Sequence, residues 1–311
     1  MSPSSLSSTY LAGIVAWHRA RAAADERDLA TLADLARTKV GSGALADRVR
    51  PFTESLRQGD GPTVIAEVKR RSPSKGDLAM DLDPAGLAAD YERGGAACLS
   101  VLTDARHFSG SPADLAAARA ATSIPVLRKD FTVAEADLYD ARLMGADAVL
   151  LIVAALDDTE LARFIHLAGS LQLAAVVEVH DRAEAVRAVA AGAEVIGVNQ
   201  RDLRTFEVDT ARAEHVAAEL PASVVKVAES GITSRSDVVR LGNVGYDAVL
   251  VGEAFVRSRD RVEAVRALRG APPGAGGAGG AGGAGMSRNG ASEVPTSEVP
   301  TSEVPASEVP A

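Results

Sequence analysis

Two lysines end apolar runs that read as interior strands. "TVIAEVKRRSPSKGD" occupies 63–77 and "IPVLRKDF" occupies 124–131. Side chains alternate along an extended segment, so Ile65, Glu67 and Lys69 share one face of the first run, and Pro125, Leu127 and Lys129 share one face of the second. Arg128 falls on the opposite face and reads as structural, and Asp130 starts the next loop. Three more runs end in polar residues. "LAAVVEVH" aligns Ala174, Val176 and Glu178, "EVIGVNQRD" ends in Asn199 and Arg201, and "VVKVAESG" ends in Glu229 and Ser230. One charged strand end is a solvated terminus. Five at matching heights make a pocket, and two lysines beside paired glutamates are the composition of acid–base chemistry.

Glycines at the ends of two later runs add an anion site. "AESGITSRSD" offers Gly231 ahead of a helix beginning near Thr233 or Ser234, and "VLVGEAFVRS" offers Gly252 and Glu253 ahead of the last helical segment. Glycine lets a backbone approach an anion, and free N–H groups at a helix start donate to phosphate. "RRSPSKG" (70–76) contributes the Ser72 hydroxyl from the first loop, which otherwise reads as a mobile turn. His18, His107, His166, His180 and His215 lack paired ligand spacing, so no metal is expected. Neither a dinucleotide fingerprint after the first strand nor a Walker loop occurs, so no cofactor is expected either.

The elements that must position these groups alternate. Apolar β-rich runs lie at 63–68, 97–102, 125–128, 147–153, 173–179, 194–199, 224–229 and 247–252. Between them lie helix-period segments, among them "DPAGLAADYERGG", "SPADLAAARAAT" and "DDTELARFIHLAGSL", many opening on a capping Asp, Ser or Thr and closing on Gly. Eight such units predict right-handed βαβ crossovers and a closed (β/α)8 barrel, with an open doubly wound sheet as the alternative. The glycine motifs fall at units seven and eight, where barrels of this kind bind phosphate, which favours closure. Residues 1–60 predict an N-terminal helical extension that covers the barrel bottom or flanks the site, with Trp17 packing within it, and 61–270 the catalytic barrel. Residues 271–311 combine a Gly/Ala-rich stretch with four SEVP units and predict a disordered, solvated tail.

Composition bounds the partners. The chain has 311 residues, 47% hydrophobic and 24% charged, with a formal net charge of −9. The tail holds one Arg and four Glu, leaving about −6 on the body, which argues against nucleic acid and anionic membranes as partners. Cys98 is the single cysteine; its apolar neighbours read as those of a buried structural thiol, and a reducing compartment fits. No secretory signal is visible, and the longest apolar run, "AVLLIVAAL" (148–156), is far below the ~20 residues of a membrane span, so a cytoplasmic location is expected.

Taken in order, "AEVKRRSPSKG" (66–76), "FSGS" (108–111), "PVLRKDF" (125–131), "DAVLLIVAAL" (147–156), "VEVH" (177–180), "IGVNQRDL" (196–203), "AESGI" (228–232) and "VLVGEAFV" (249–256) resemble the indole-3-glycerol phosphate synthase family of tryptophan biosynthesis. The resemblance covers all eight units, roughly 60–260, and the family also carries an N-terminal extension. Gln200 stands where the family often has a second Asn, tolerated because Asn199 and Arg201 remain, and the SEVP tail is not a family feature. The resemblance implies a lyase that closes the indole ring of 1-(o-carboxyphenylamino)-1-deoxyribulose 5-phosphate, releasing CO₂ and then water. It implies Lys129 as the acid at the ketone oxygen, with a pKa expected to be depressed by apolar walls and other cations. Lys69 pairs the substrate carboxylate and then assists dehydration. Glu178 removes a proton in dehydration, Glu67 orients one of the lysines, and Asn199 and Arg201 position the substrate or neighbouring acids. Glu229 and Ser230 line the sugar side, and Ser72, Gly231, Gly252 and Glu253 hold the phosphate. The partner implied is a small phosphorylated substrate, for a monomer or weak homo-oligomer, with contacts to other tryptophan-pathway enzymes open.

Two other readings fit parts of the pattern. A Schiff-base aldolase would use Lys129 as nucleophile beside the same phosphate site. A non-catalytic phosphate-ligand binder would need no such set of lysines and glutamates. A phosphoribosylanthranilate isomerase would need a Cys–Asp pair at strand ends, and Cys98 comes too early in its run.

Overall fold

The structure, a computed structural model, describes residues 10–42, 48–202 and 206–270; the Gly/Ala-rich and SEVP segments lie outside the described residues. Every apolar run forms a strand: β1 Thr63–Val68, β2 Cys98–Leu102, β3 Val126–Lys129, β4 Ala148–Ile152, β5 Ala174–Val179, β6 Val195–Asn199, β7 Val225–Glu229 and β8 Ala248–Val251. Each is parallel to its neighbours, and β1 pairs with β8 through Thr63↔Ala248 as well as with β2 through Ile65↔Cys98, so the sheet closes into a barrel. The open-sheet alternative is thereby excluded.

Alternation sorts the apolar side chains into two layers. Ile65, Cys98, Leu127, Ala148, Val176, Val195, Val225, Val227 and Ala248 point inward and fill the barrel. Val64, Ala66, Leu99, Val126, Val149, Val177, Ile196 and Val249 point outward and meet the helices. Cys98 is fully buried near the Phe52 carbonyl, and burial pushes its thiol pKa well up, which makes it packing rather than a nucleophile.

The helices start and stop where the side chains dictate. Asp83, Ser111, Asp157, Asp181 and Ser234 cap α4 (Pro84–Gly94), α6 (Pro112–Ala120), α8 (Asp158–Ser170), α9 (Arg182–Ala190) and α11 (Arg235–Asn243), each accepting from a backbone N–H of the first turn. Gly145, at φ 89°, ends α7 (Glu135–Met144), a left-handed backbone that a side chain would strain.

Among the described residues, three helices precede the barrel. α1 (Tyr10–Ala23) lies at the C-terminal mouth, where Leu11 and Ile14 reach the central cavity. α2 (Leu29–Gly41) runs along the wall and donates from Lys39 to the Leu143 carbonyl at 2.9 Å. α3 (Phe52–Leu56) closes the opposite end, its Phe52 and Leu56 packed into the inner layer. Asp147, fully buried, holds that end together. It accepts from Arg119 Nη1 at 2.5 Å, the Arg50 amide at 2.7 Å and the Val126 amide at 2.8 Å. The "RRSPSKG" loop is more ordered than its sequence suggests: Arg71–Ser72 pairs antiparallel with Gly76–Asp77 over the mouth. Among the described residues, no helix is long and apolar enough to cross a membrane.

Candidate active site

The C-terminal ends of the strands surround a cavity of about 670 Å³. On its floor the ammonium of Lys129, from the end of β3, lies 2.5 Å from Glu229 Oε2 on β7 and 3.0 Å from Glu178 Oε2 on β5. Lys69, one residue past β1, pairs with Glu67. Asn199 ties the far wall to this centre. Its Nδ2 donates to Glu178 Oε1 at 3.2 Å, and its Oδ1 accepts from Ser230 Oγ at 2.9 Å and from the Arg201 amide at 3.0 Å. Asn199 is therefore engaged in setting the Glu178 rotamer. Gln200, the departure from the family pattern, turns away and donates to the Ser230 carbonyl at 2.6 Å, fixing the next loop.

The electrostatics correct one expectation. Apolar walls and other cations predict a depressed pKa for Lys129; it is raised instead. Burial alone lowers it, but Glu229, Glu178 and Glu67 together outweigh that loss. The sequence puts an inward lysine among inward apolar residues, yet three carboxylates from other strands are what it meets. Burial pushes Glu229 up to about 7, against the pull of Lys129 and with help from Glu178. Burial also favours protonation of Glu178, but Lys129 and His180 outweigh it and hold this carboxyl below its ordinary range. One of two neighbouring carboxyls thus holds its charge more firmly than the other, the asymmetry on which acid–base centres depend.

Two glycines make room for these acids. A Cβ on Gly252 would overlap Glu67, and one on Gly197 would run into the Glu229 carboxylate. Neither has positive φ, so close approach is the reason for glycine at both.

The rim carries the anion-type groups. Ser230 and Gly231 adopt φ of 69° and 74° after β7, turning the chain toward α11. Gly252 follows β8, and Glu253 opens the short α12 (Glu253–Val256). Ser72 Oγ accepts from the Lys75 amide at 3.2 Å, which leaves its hydroxyl proton to donate elsewhere. Ser72, Gly231, Gly252 and Glu253 line one cavity with Lys69, Lys129, Glu67, Glu178, Asn199, Arg201, Glu229 and Ser230. Arg201 also donates to the Phe206 carbonyl at 2.9 Å, so its guanidinium is partly committed to its own loop.

The opposite side of the cavity is apolar and was not singled out from sequence. Leu11 and Ile14 of α1, Leu102, Phe108 and Phe131 form it, with the Phe108 and Phe131 ring centroids 6.3 Å apart. Helix α1 is fixed there by His18, whose Nε2 lies 2.7 Å from Asp104 Oδ2, while His107 Nδ1 lies 3.1 Å from the same oxygen. Among the described residues these three form a cluster with metal-ligand chemistry. Asp104 is already engaged by both imidazoles and by the amides of His107 and Phe108, so the cluster acts as a tether. Asp104 and His107 are three residues apart but His18 lies far upstream, which hides the grouping from spacing rules. His180 also went unassigned. The signal was present, since alternation extended by two residues places it on the Glu178 face.

Fold and site define a (β/α)8-barrel enzyme whose cavity sets buried lysine–glutamate pairs beside apolar and aromatic side chains. Known proteins narrow that class. The sequence profile of indole-3-glycerol phosphate synthase matches residues 12–268. Indole-3-glycerol phosphate synthase 1 of Streptomyces coelicolor is 56% identical over 225 residues, 72% of this chain and 84% of that protein. Indole-3-glycerol phosphate synthase of Micrococcus luteus is 57% identical over 211 residues, 68% of this chain and 79% of that protein. The chain belongs to the indole-3-glycerol phosphate synthase family. Among solved structures, a thiamine phosphate pyrophosphorylase from Pyrococcus furiosus superposes with TM-score 0.53 at 16% identity, over 71% of this chain and 96% of that one, a likeness of fold alone.

Proposed function

We propose that the chain performs its family's reaction, converting 1-(o-carboxyphenylamino)-1-deoxyribulose 5-phosphate to indole-3-glycerol phosphate, with the site residues in the following roles. The observation that carries this reading is the Lys129 ammonium, buried between Glu178 and Glu229 in a cavity that Phe108 and Phe131 also line. The anthranilate ring lies against Phe108 and Phe131, and the phosphate is held by Ser72, Gly231, Gly252 and Glu253. Anchoring both ends folds the flexible chain into a reactive geometry, an effect of up to ~7–11 kcal/mol in ideal systems.

Ring closure places negative charge on the ketone oxygen as the poorly nucleophilic aromatic carbon attacks. Lys129 donates its proton there. Its raised pKa keeps it protonated across the neutral range, and an alkoxide is a strong enough base to take that proton. Lys69, positioned by Glu67, pairs the substrate carboxylate until CO₂ leaves, then assists departure of the hydroxyl. Glu178 removes the proton that completes dehydration, and Asn199 fixes its carboxylate. Arg201, Glu229 and Ser230 position the sugar hydroxyls, with Glu229 also holding Lys129.

Borohydride trapping during turnover tests this against the Schiff-base reading. Unlabelled Lys129 with continued indole formation is the expected result; a reduced covalent adduct on Lys129 overturns the acid role. The same reading has the enzyme work in the cytoplasm as a monomer or weak homo-oligomer, which cell fractionation and sedimentation velocity measure.

A further inference from the structure

His180 stands directly behind Glu178, outside the residues that line the cavity. Its side chain is mostly buried, and both ring nitrogens face carboxylates. Nδ1 lies 3.1 Å from Glu184 Oε2, an oxygen that also accepts the His180 backbone amide at 2.7 Å. Nε2 lies 3.4 Å from Glu178 Oε1 and has no hydrogen-bond partner among the described residues. A carboxylate only accepts, so Nδ1 carries a proton. A neutral ring would then aim the Nε2 lone pair at a second carboxylate and bury it unpaired. The imidazolium presents N–H groups to both acids instead. Burial opposes that charge, and Glu184 and Glu178 outweigh it, which raises the His180 pKa.

The reaction gives this second cation a task. Glu178 is faced by Lys129 from β3, Asn199 from β6, Glu229 from β7 and His180 beyond its own strand end; His180 is faced by Glu184 from α9, Glu178 and Glu229. Once Lys129 has given up its proton it no longer offsets the Glu178 charge, at the stage where Glu178 must act as a base. We propose that His180, clamped by Glu184, is a positioning residue whose imidazolium keeps the Glu178 carboxylate charged and oriented while Lys129 is neutral. This inference rests on the base role given to Glu178 above.

The test has a ligand-free arm and a turnover arm. In the free protein, the Glu178 carboxyl is titrated by ¹³C NMR in the wild type, His180→Gln and Glu184→Gln, with the resonance assigned from Glu178→Gln. The midpoint is expected to move up by about one pH unit in His180→Gln, and by less in Glu184→Gln, which keeps a side-chain acceptor for the His180 amide but loses the charge. In turnover, kcat for indole formation falls with KM within about twofold, and the acid limb of the pH profile moves up with the NMR midpoint. Thermal melting checks that both variants fold. An unchanged Glu178 titration in the folded variants overturns the inference, as does a pH profile superimposable on the wild type. A wild type that makes no indole overturns the reaction assignment instead, while the NMR arm still reports on His180.

Discussion

Replacing Glu178 with Gln should separate the two halves of the reaction. The substitution keeps the side-chain volume and an oxygen that can accept from Asn199 Nδ2, now 3.2 Å from Glu178 Oε1. It removes the charge 3.0 Å from Lys129. A charge pair at that distance is worth roughly 5 kcal/mol at an effective dielectric of about 20, and desolvation of both ions offsets most of it. Glu229 remains at 2.5 Å, so Lys129 stays protonated and able to serve ring closure. The missing base is a different matter. Loss of a positioned general base costs about 10²–10⁴-fold, equivalent to roughly 3–5 kcal/mol in the barrier. In a single-turnover experiment, CO₂ release should therefore stay within about tenfold of the wild type, while indole fluorescence develops at least about 10²-fold more slowly. Equal slowing of CO₂ and indole would rule out a role for Glu178 confined to dehydration, because Glu178 would then act at or before ring closure. Indole formation at near wild-type rate would refute it as well.

Three further outcomes follow from other parts of the molecule. Gly252→Ala places a Cβ against Glu67, so Lys69 loses its orienting partner and the phosphate rim shifts; kcat/KM should fall at least about tenfold in steady-state assays while the melting temperature changes by only a few degrees. Asp147→Ala leaves the buried Arg119 without its carboxylate and should cost about 3–5 kcal/mol in urea unfolding, with activity per folded molecule retained. Burial works to raise the Asp104 carboxyl, but His18 and the His107 amide outweigh it and hold it well below the carboxylate range. A carboxyl depressed in the folded state stabilises above its unfolded value of roughly 3.9 and loses that contribution as pH falls toward the folded value. Asp104→Asn should accordingly be less stable than the wild type at pH 7, with a difference in urea midpoint that shrinks below about pH 4.

The barrel was legible because two periodicities were. Ile65, Leu127 and Val176 alternate with Val64, Val126 and Val177, and the period of two assigned each side chain to the interior or to the helix layer. The same alternation carried Glu67, Lys69, Lys129 and Glu178 to the mouth. Faces were readable; neighbours were not. Nothing in "PVLRKDF" says that Glu178 and Glu229 will lie against Lys129, so the direction of its pKa was misjudged from an apolar wall that is only part of its surroundings. The apolar side of the cavity depends on where α1 docks. That docking is set in part by the contact of His18 with Asp104, residues separated by most of the N-terminal extension and the first β/α unit. His180 was the missed opportunity, one alternation step beyond a glutamate already assigned.

In the proposed mechanism Lys129 gives the proton that closes the indole ring. Purified protein and its Lys129→Ala variant are each mixed with 1-(o-carboxyphenylamino)-1-deoxyribulose 5-phosphate, and indole fluorescence is followed, with melting curves confirming the fold. Turnover by the wild type and loss of the signal in a folded variant are expected. A silent wild type, or a variant that keeps a near-full rate, would contradict that mechanism.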